Sequence, residues 1–259
     1  MKKHIVSFLF AFLFIFSSVG SVGAANANIP DFSDQDIAVV REAYSDKYNG
    51  EALLTMVLEG KITDDPFTDI QIEHQTSENI EVTTVTINEL VERQVDEQRN
   101  IVSESYIKTS VSSVTAWELS NSGPYASGGS GFTFTVKINY SVIVSNDVNY
   151  YKVTKSSTLL SNYYGRIEFK QLDVLCGASG DAYTSSLSRV GYRSESSTWN
   201  RYYPNIVSGT TYGTNTGFLY YYNSEVYPCN MGANATVYFT LSNQTTWKSF
   251  FVSVTLVNN

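Results

Sequence analysis

The sequence predicts a mainly β protein: an antiparallel β-sandwich or barrel-like domain over residues 101–259, behind a small acidic helical or mixed segment at 28–100 and a signal peptide at 1–27. Three observations carry this reading. Apolar residues recur at every second position in the C-terminal part, the charge balance changes sign near residue 100, and the chain opens with two lysines and a short apolar run.

Lys2 and Lys3 precede Ile5 to Phe16, which is followed by the small residues of SSVGSVGAANA. That order of positive, apolar and small-residue regions is the pattern of a secretory leader. The apolar run is 12 residues long, whereas a helix needs roughly 20 to cross a bilayer core. Small-x-small sites end at Ala24 and at Ala27, and cleavage is expected after one of them. No cysteine adjoins either site, and no later stretch is long and apolar enough for a spanning helix. The expectation is a secreted, extracellular protein with no integral membrane anchor in its mature chain.

Residues 28–100 hold 17 Asp and Glu against 5 Lys and Arg, a net of −12. Residues 101–259 hold 8 against 10, a net of +2, and 17 of the 19 tyrosines. Within the acidic part, Ser33 and Asp36 have capping-box spacing, with Ile37, Val40 and Tyr44 on one helical face and Asn49-Gly50 as a stop. A second helix is expected over Glu51 to Glu59, with Leu53, Leu54, Val57 and Leu58 in a stripe and Gly60 as its cap. From Phe67 the pattern is extended. Asn88 to Asn100 returns to helical spacing, with Glu89, Arg93 and Glu97 four apart. So much acid reads either as a solvated face or as a propeptide or docking segment for the domain behind it.

In GFTFTVKINYSVIVS, Phe132, Phe134, Val136, Ile138, Tyr140, Val142 and Val144 take the even positions and mostly polar residues the odd ones. Side chains alternate across a strand, so this is a half-buried strand. Asn146-Asp147 is a hairpin turn signal and Tyr150 to Leu160 the returning strand. Further strands are expected at Tyr106 to Glu118, Arg166 to Leu175, Phe218 to Val226, Thr236 to Leu241 and Ser249 to Val257, with a loop at Asn121 to Gly131.

Cys176 and Cys229 are the two cysteines. In an exported chain such a pair is most simply a disulfide, which over a loop of roughly 54 residues would stabilise the fold by about 4 kcal/mol. Cysteine or serine catalysis needs a base, and His74 is the sole histidine after the leader. There is no G-x-S-x-G elbow, no zinc-ligand spacing and no phosphate loop, so neither cofactor nor metal is expected. A pI near 4.8 argues against nucleic acid as a partner. Carboxylates for glycoside hydrolysis are available among Glu118, Glu168, Asp173, Asp181, Glu195 and Glu225.

Residues 218–229, FLYYYNSEVYPC, place three tyrosines before a proline and a cysteine. The stretch reads first as sheet filling beside Tyr202-Tyr203 and Tyr212, and otherwise as a ligand surface: period-two geometry predicts Leu219 and Tyr221 pointing inward, Tyr220 and Tyr222 at least partly exposed as the candidate binding residues, and a turn from Asn223-Ser224. Three function classes follow. The first is a non-catalytic binding or surface-associated module for a glycan or protein at the cell surface. The second is a pore-forming, toxin-like protein, and the third a carboxylate-dependent hydrolase.

Overall fold

The computed structural model describes residue 56 and residues 68–77, 80–96, 98, 100–116, 130–164, 167–241 and 245–258. The leader, the loop expected at Asn121 to Gly131 up to residue 129, and the helix expected from Ser33 lie outside these residues, as does the helix expected from Glu51 apart from Met56, which is helical and half-buried; Ser130 and Gly131, expected in the loop, are strand.

Among the described residues the chain forms β1 (Thr68–Ser77), β2 (Ile80–Val95), β3 (Ile101–Ala116), β4 (Ser130–Ser145), β5 (Val148–Tyr164) and β6 (Ile167–Tyr183). These are followed by β7 (Arg189–Tyr202), β8 (Thr211–Asn215), β9 (Tyr221–Asn223), β10 (Asn230–Leu241) and β11 (Lys248–Asn258). They make one antiparallel sheet in the order β1-β2-β3-β4-β5-β9-β6-β10-β11, with β8 attached to β5 and β7 to β6. The sheet curls into a half-barrel. Register shifts interrupt several ladders, among them Asn139/Tyr140 and Tyr238/Phe239, and such bulges bend and twist a sheet.

The alternation read at 132–144 is observed. Phe132, Phe134, Val136, Ile138, Tyr140 and Val142 are all buried on the inner face. Phe132 meets Phe169, Phe239 and Phe250 with ring centroids 5.3, 5.1 and 6.4 Å away, all edge-on. The inner faces of β6, β10 and β11 thus close on β4, and each fully buried aliphatic or Phe side chain stabilises the fold by about 1.5 to 3 kcal/mol. At the β4–β5 turn, Asn146 and Asp147 have φ of 52° and 62°. Positive φ at both central residues is what a type I′ hairpin requires, and Asn and Asp tolerate it.

The helix expected over 88–100 is overturned. Residues 80–95 are strand β2, whose ladder with β3 places strands from both sides of residue 100 in one sheet. Arg93 answers Glu104 directly across this ladder, its Nε donating to Oε1 at 2.8 Å, so the charge pairing spaced for a helix is used across strands. The run Val82 to Ile87 is rich in β-branched residues, which fit a pleated surface better than a helix.

One stretch joins the β1–β5 half of the sheet to the half that begins at β6. β8 pairs with Lys155–Leu159 of β5; β9 pairs with Tyr150 and Tyr151 of β5 on one side and Ala182 and Tyr183 of β6 on the other; β10 then continues along β6. FLYYYNSEVYPC is the crossing point.

Candidate functional site

At the crossing only Tyr221–Asn223 is strand, and residues 216–220 run outside regular structure. Period two therefore does not extend through the tyrosines, and the expected orientation is corrected at two places. Tyr222 is fully buried in the core, and Leu219 is 68% exposed. Glu195 explains both. Its carboxylate accepts the Tyr222 hydroxyl at 2.8 Å and the backbone N–H groups of Leu219 and Tyr220 at 2.7 and 3.3 Å. The buried hydroxyl is thereby satisfied, and burial together with the neighbouring carboxylate holds the Tyr222 phenol above its ordinary range. Tyr220 is half-buried and packs on the core, and Tyr221 lies under the Lys152 ammonium at 5.4 Å. The expected turn is present, with Asn223 Oδ1 accepting the Glu225 N–H at 2.8 Å.

The expected disulfide is also corrected, for Cys176 and Cys229 are both free and buried. Cys229 lies against Gly180, whose position would bring a Cβ within 3.4 Å of the Cys229 sulfur. Gly180 is four residues along β6 from Cys176, roughly 13 Å at strand rise, whereas a disulfide tolerates a Cα separation of at most about 7 Å. Burial pushes the Cys176 thiol up to about 12 and Cys229 up to about 11. Both therefore act as small apolar side chains rather than nucleophiles.

Most of the carboxylates named for hydrolysis are engaged by other groups, and Asp181 and Glu225 both lie within electrostatic reach of Tyr150. Asp181 is buried and takes the Arg189 Nε on both oxygens, at 3.0 and 2.8 Å, and the Tyr183 hydroxyl at 2.9 Å. Glu168 pairs with Lys170, Glu195 serves the crossing, Glu225 is exposed, and Glu118 lies outside the described residues. Among the described residues no group of three His, Cys, Asp or Glu is placed to hold a metal, and no helix is long and apolar enough to cross a membrane.

A different surface collects side chains suited to recognition. On the outer face of β7, β6, β10 and β11, register aligns Asn200, Asp173, Thr236 and Phe251 in one row across four strands. The next row begins with Tyr202 and Gln171. These six border a groove of about 580 Å³. Tyr202 is 50% exposed and Phe251 49%, although the adjacent Phe250 faces the core. Gln171 Nε2 donates to both Asp173 oxygens, at 2.9 and 2.7 Å, which fixes the carboxylate as a preset acceptor. Asp173 is the one carboxylate among the described residues lining this groove.

Sequence reading missed the groove because β7, RVGYRSESSTWNRY, lacks apolar alternation. Most of its side chains are exposed on one face and only half-covered on the other. The one available signal was the exposed-type pair Tyr202-Tyr203 beside Trp199. Comparison with protein-family models, curated proteins and solved structures gave no match.

Proposed function

We propose that this is a secreted, non-catalytic binding module with sandwich-like layering, and that its ligand is a glycan taken up by the outer face of β7, β6, β10 and β11. The observation that carries the reading is the row from Asn200 to Phe251 with Tyr202 beside it: two half-exposed aromatic rings flank amide, hydroxyl and carboxylate groups. A sugar ring presents an apolar C–H face that packs on an aromatic side chain, and hydroxyls that need donors and acceptors at its edge. The row spans three inter-strand intervals, roughly 14 Å, a length that suits an oligosaccharide. Both rings lie outside the core, so the surface has no evident packing role to explain them. The near-neutral balance of residues 101–259 suits an uncharged polymer better than a strongly charged one.

Retention on insoluble polysaccharides (cellulose, chitin, mannan, xylan) and a soluble glycan array test the reading. Binding by the mature protein, lost in Tyr202→Ala/Phe251→Ala with an unchanged melting temperature, supports it. Equal retention of the double variant, or no binding to any glycan, overturns it. Release of reducing sugar would favour the hydrolase reading, and leakage of liposomes the pore-forming one.

A further inference from the structure

The outer face of β7, β6, β10 and β11 carries more rings than those that border its groove. Beside the row from Asn200 to Phe251 runs a parallel one, two residues or about 7 Å away at strand rise, in which register aligns Tyr202, Gln171, Tyr238 and Ser249. Trp247, just before β11, continues it. Its ring centroid stands 6.5 Å from that of Tyr238, with the planes tilted by 56°. Tyr238 is half-buried, and both it and Trp247 lie beyond the residues that border the groove. Among the described residues neither of these rings, nor Tyr202, belongs to the core cluster or packs on it. Tyr202 and Tyr238 are two inter-strand intervals apart, roughly 10 Å, so the three rings form one line that passes the end of the groove.

We infer that Trp247 is a further ligand contact and that the ligand is an internal stretch of an unbranched polysaccharide, bound along the line from Tyr202 to Trp247. The inference rests on the glycan reading above and narrows it. Successive sugars in an extended chain present an apolar face to each aromatic platform and their hydroxyls to the side. Polar groups stand on that side here. Asn200, Asp173 and Thr236 form the neighbouring row, and Gln171, between the two tyrosines, fixes the Asp173 carboxylate. A site for a single sugar or a chain end needs a wall that closes on it. This line instead ends on each side in a half-open ring, Tyr202 at 50% exposure and Trp247 at 55%, so a chain can run past both. Trp247 also adds an indole N–H donor at the edge of its apolar face.

Chain-length dependence tests this. The mature protein is titrated calorimetrically with cello-, chito-, manno- and xylo-oligosaccharides, from disaccharide to hexasaccharide. In the series that binds, affinity should rise with length and be unchanged when the reducing end is chemically reduced. Trp247→Ala should weaken the hexasaccharide roughly tenfold and leave the shortest ligand that binds unaffected, whereas Tyr202→Ala should weaken both. In the wild-type chain the hexasaccharide should shield Trp247 from iodide quenching, with Trp247→Phe marking its share of the fluorescence, so the outcome does not depend on the alanine variant folding. Affinity independent of length, loss on end reduction, an unshielded Trp247, or retention on an insoluble polymer with no soluble chain bound would each overturn the inference and leave glycan binding intact. Equal effects of Trp247→Ala on short and long ligands would do the same. No binding by the wild-type chain, in solution or on the insoluble polymers, would overturn the glycan reading and this inference with it.

Discussion

Glu195 on β7 and Tyr222 on β9 meet at 2.8 Å, and the same carboxylate caps two backbone N–H groups of the chain that leads into β9. One side chain thus fixes the point where the chain passes from β5 to β6. Tyr222→Phe removes one hydrogen bond and leaves a carboxylate oxygen with less to accept, which should cost about 1 to 2 kcal/mol. Glu195→Ala removes all three and should cost more. Chemical denaturation of the two single variants and the double variant should show that their effects are not additive, and additive losses would mean the contact carries no coupling.

The glycan face should respond to change without loss of fold. Asn200→Ala and Thr236→Ala remove polar groups from the centre of the row, and calorimetric titration with the retained polysaccharide should show weaker binding at an unchanged melting temperature. Gln171→Leu frees the Asp173 carboxylate from its fixed orientation. Its effect should fall on affinity rather than stability, because both residues are only half-buried.

The thiols give a third measurement. Two free, buried cysteines should resist a disulfide-exchange reagent in native protein and react, two per chain, after unfolding. A mature mass lower by two hydrogens under non-reducing conditions would contradict the free state. Cys176→Ser places a hydroxyl in the buried core, with the Gly177 backbone as its polar neighbour, and should destabilise more than Cys176→Ala.

Alkaline pH should weaken the fold. Burial raises Cys229 to about 11 and Cys176 to about 12, and burial with Asp181 alongside raises Tyr183 to about 12. In the unfolded chain these groups titrate near about 8.5 for Cys and about 10 for Tyr. The folded state therefore holds the protons more tightly, so their contribution is intact below the unfolded values and declines as pH rises through the folded ones. Denaturation midpoints should be flat from neutrality to pH about 8.5 and fall steadily above it. Tyr183→Phe should lessen the fall.

Where a strand has one apolar and one polar face, the sequence shows it plainly. Phe132 to Val144 and the Asn146-Asp147 turn are the clearest cases, because a single period and a single turn chemistry dictate them. The 88–95 stretch was misleading because Glu89 and Arg93 satisfy helical spacing as well as a strand, and only the partner Glu104 decides between them. Leu219 and Tyr222 were misassigned because regular pairing lasts for three residues there and a distant Glu195 sets the rest. The cysteines were misread because composition and compartment say nothing about register. The glycan row is legible only after four strands are aligned, since its members come from positions 171 to 251.

The passage from β8 through β9 to β10 also has a consequence for how the protein is made. β1 to β5 pair with sequence neighbours, and β6 with β7, so both sets of hairpins need only nearby chain and are expected to form early during synthesis. The stretch that fastens them together begins at Thr211 and reaches its last ladder at Asn258. Until those final 50 or so residues have emerged, the inner faces around Phe132 and Phe169 stay apart and wet. A nascent chain stalled near residue 210 would therefore offer chaperones two open apolar surfaces, and release of the last strands would withdraw both at once.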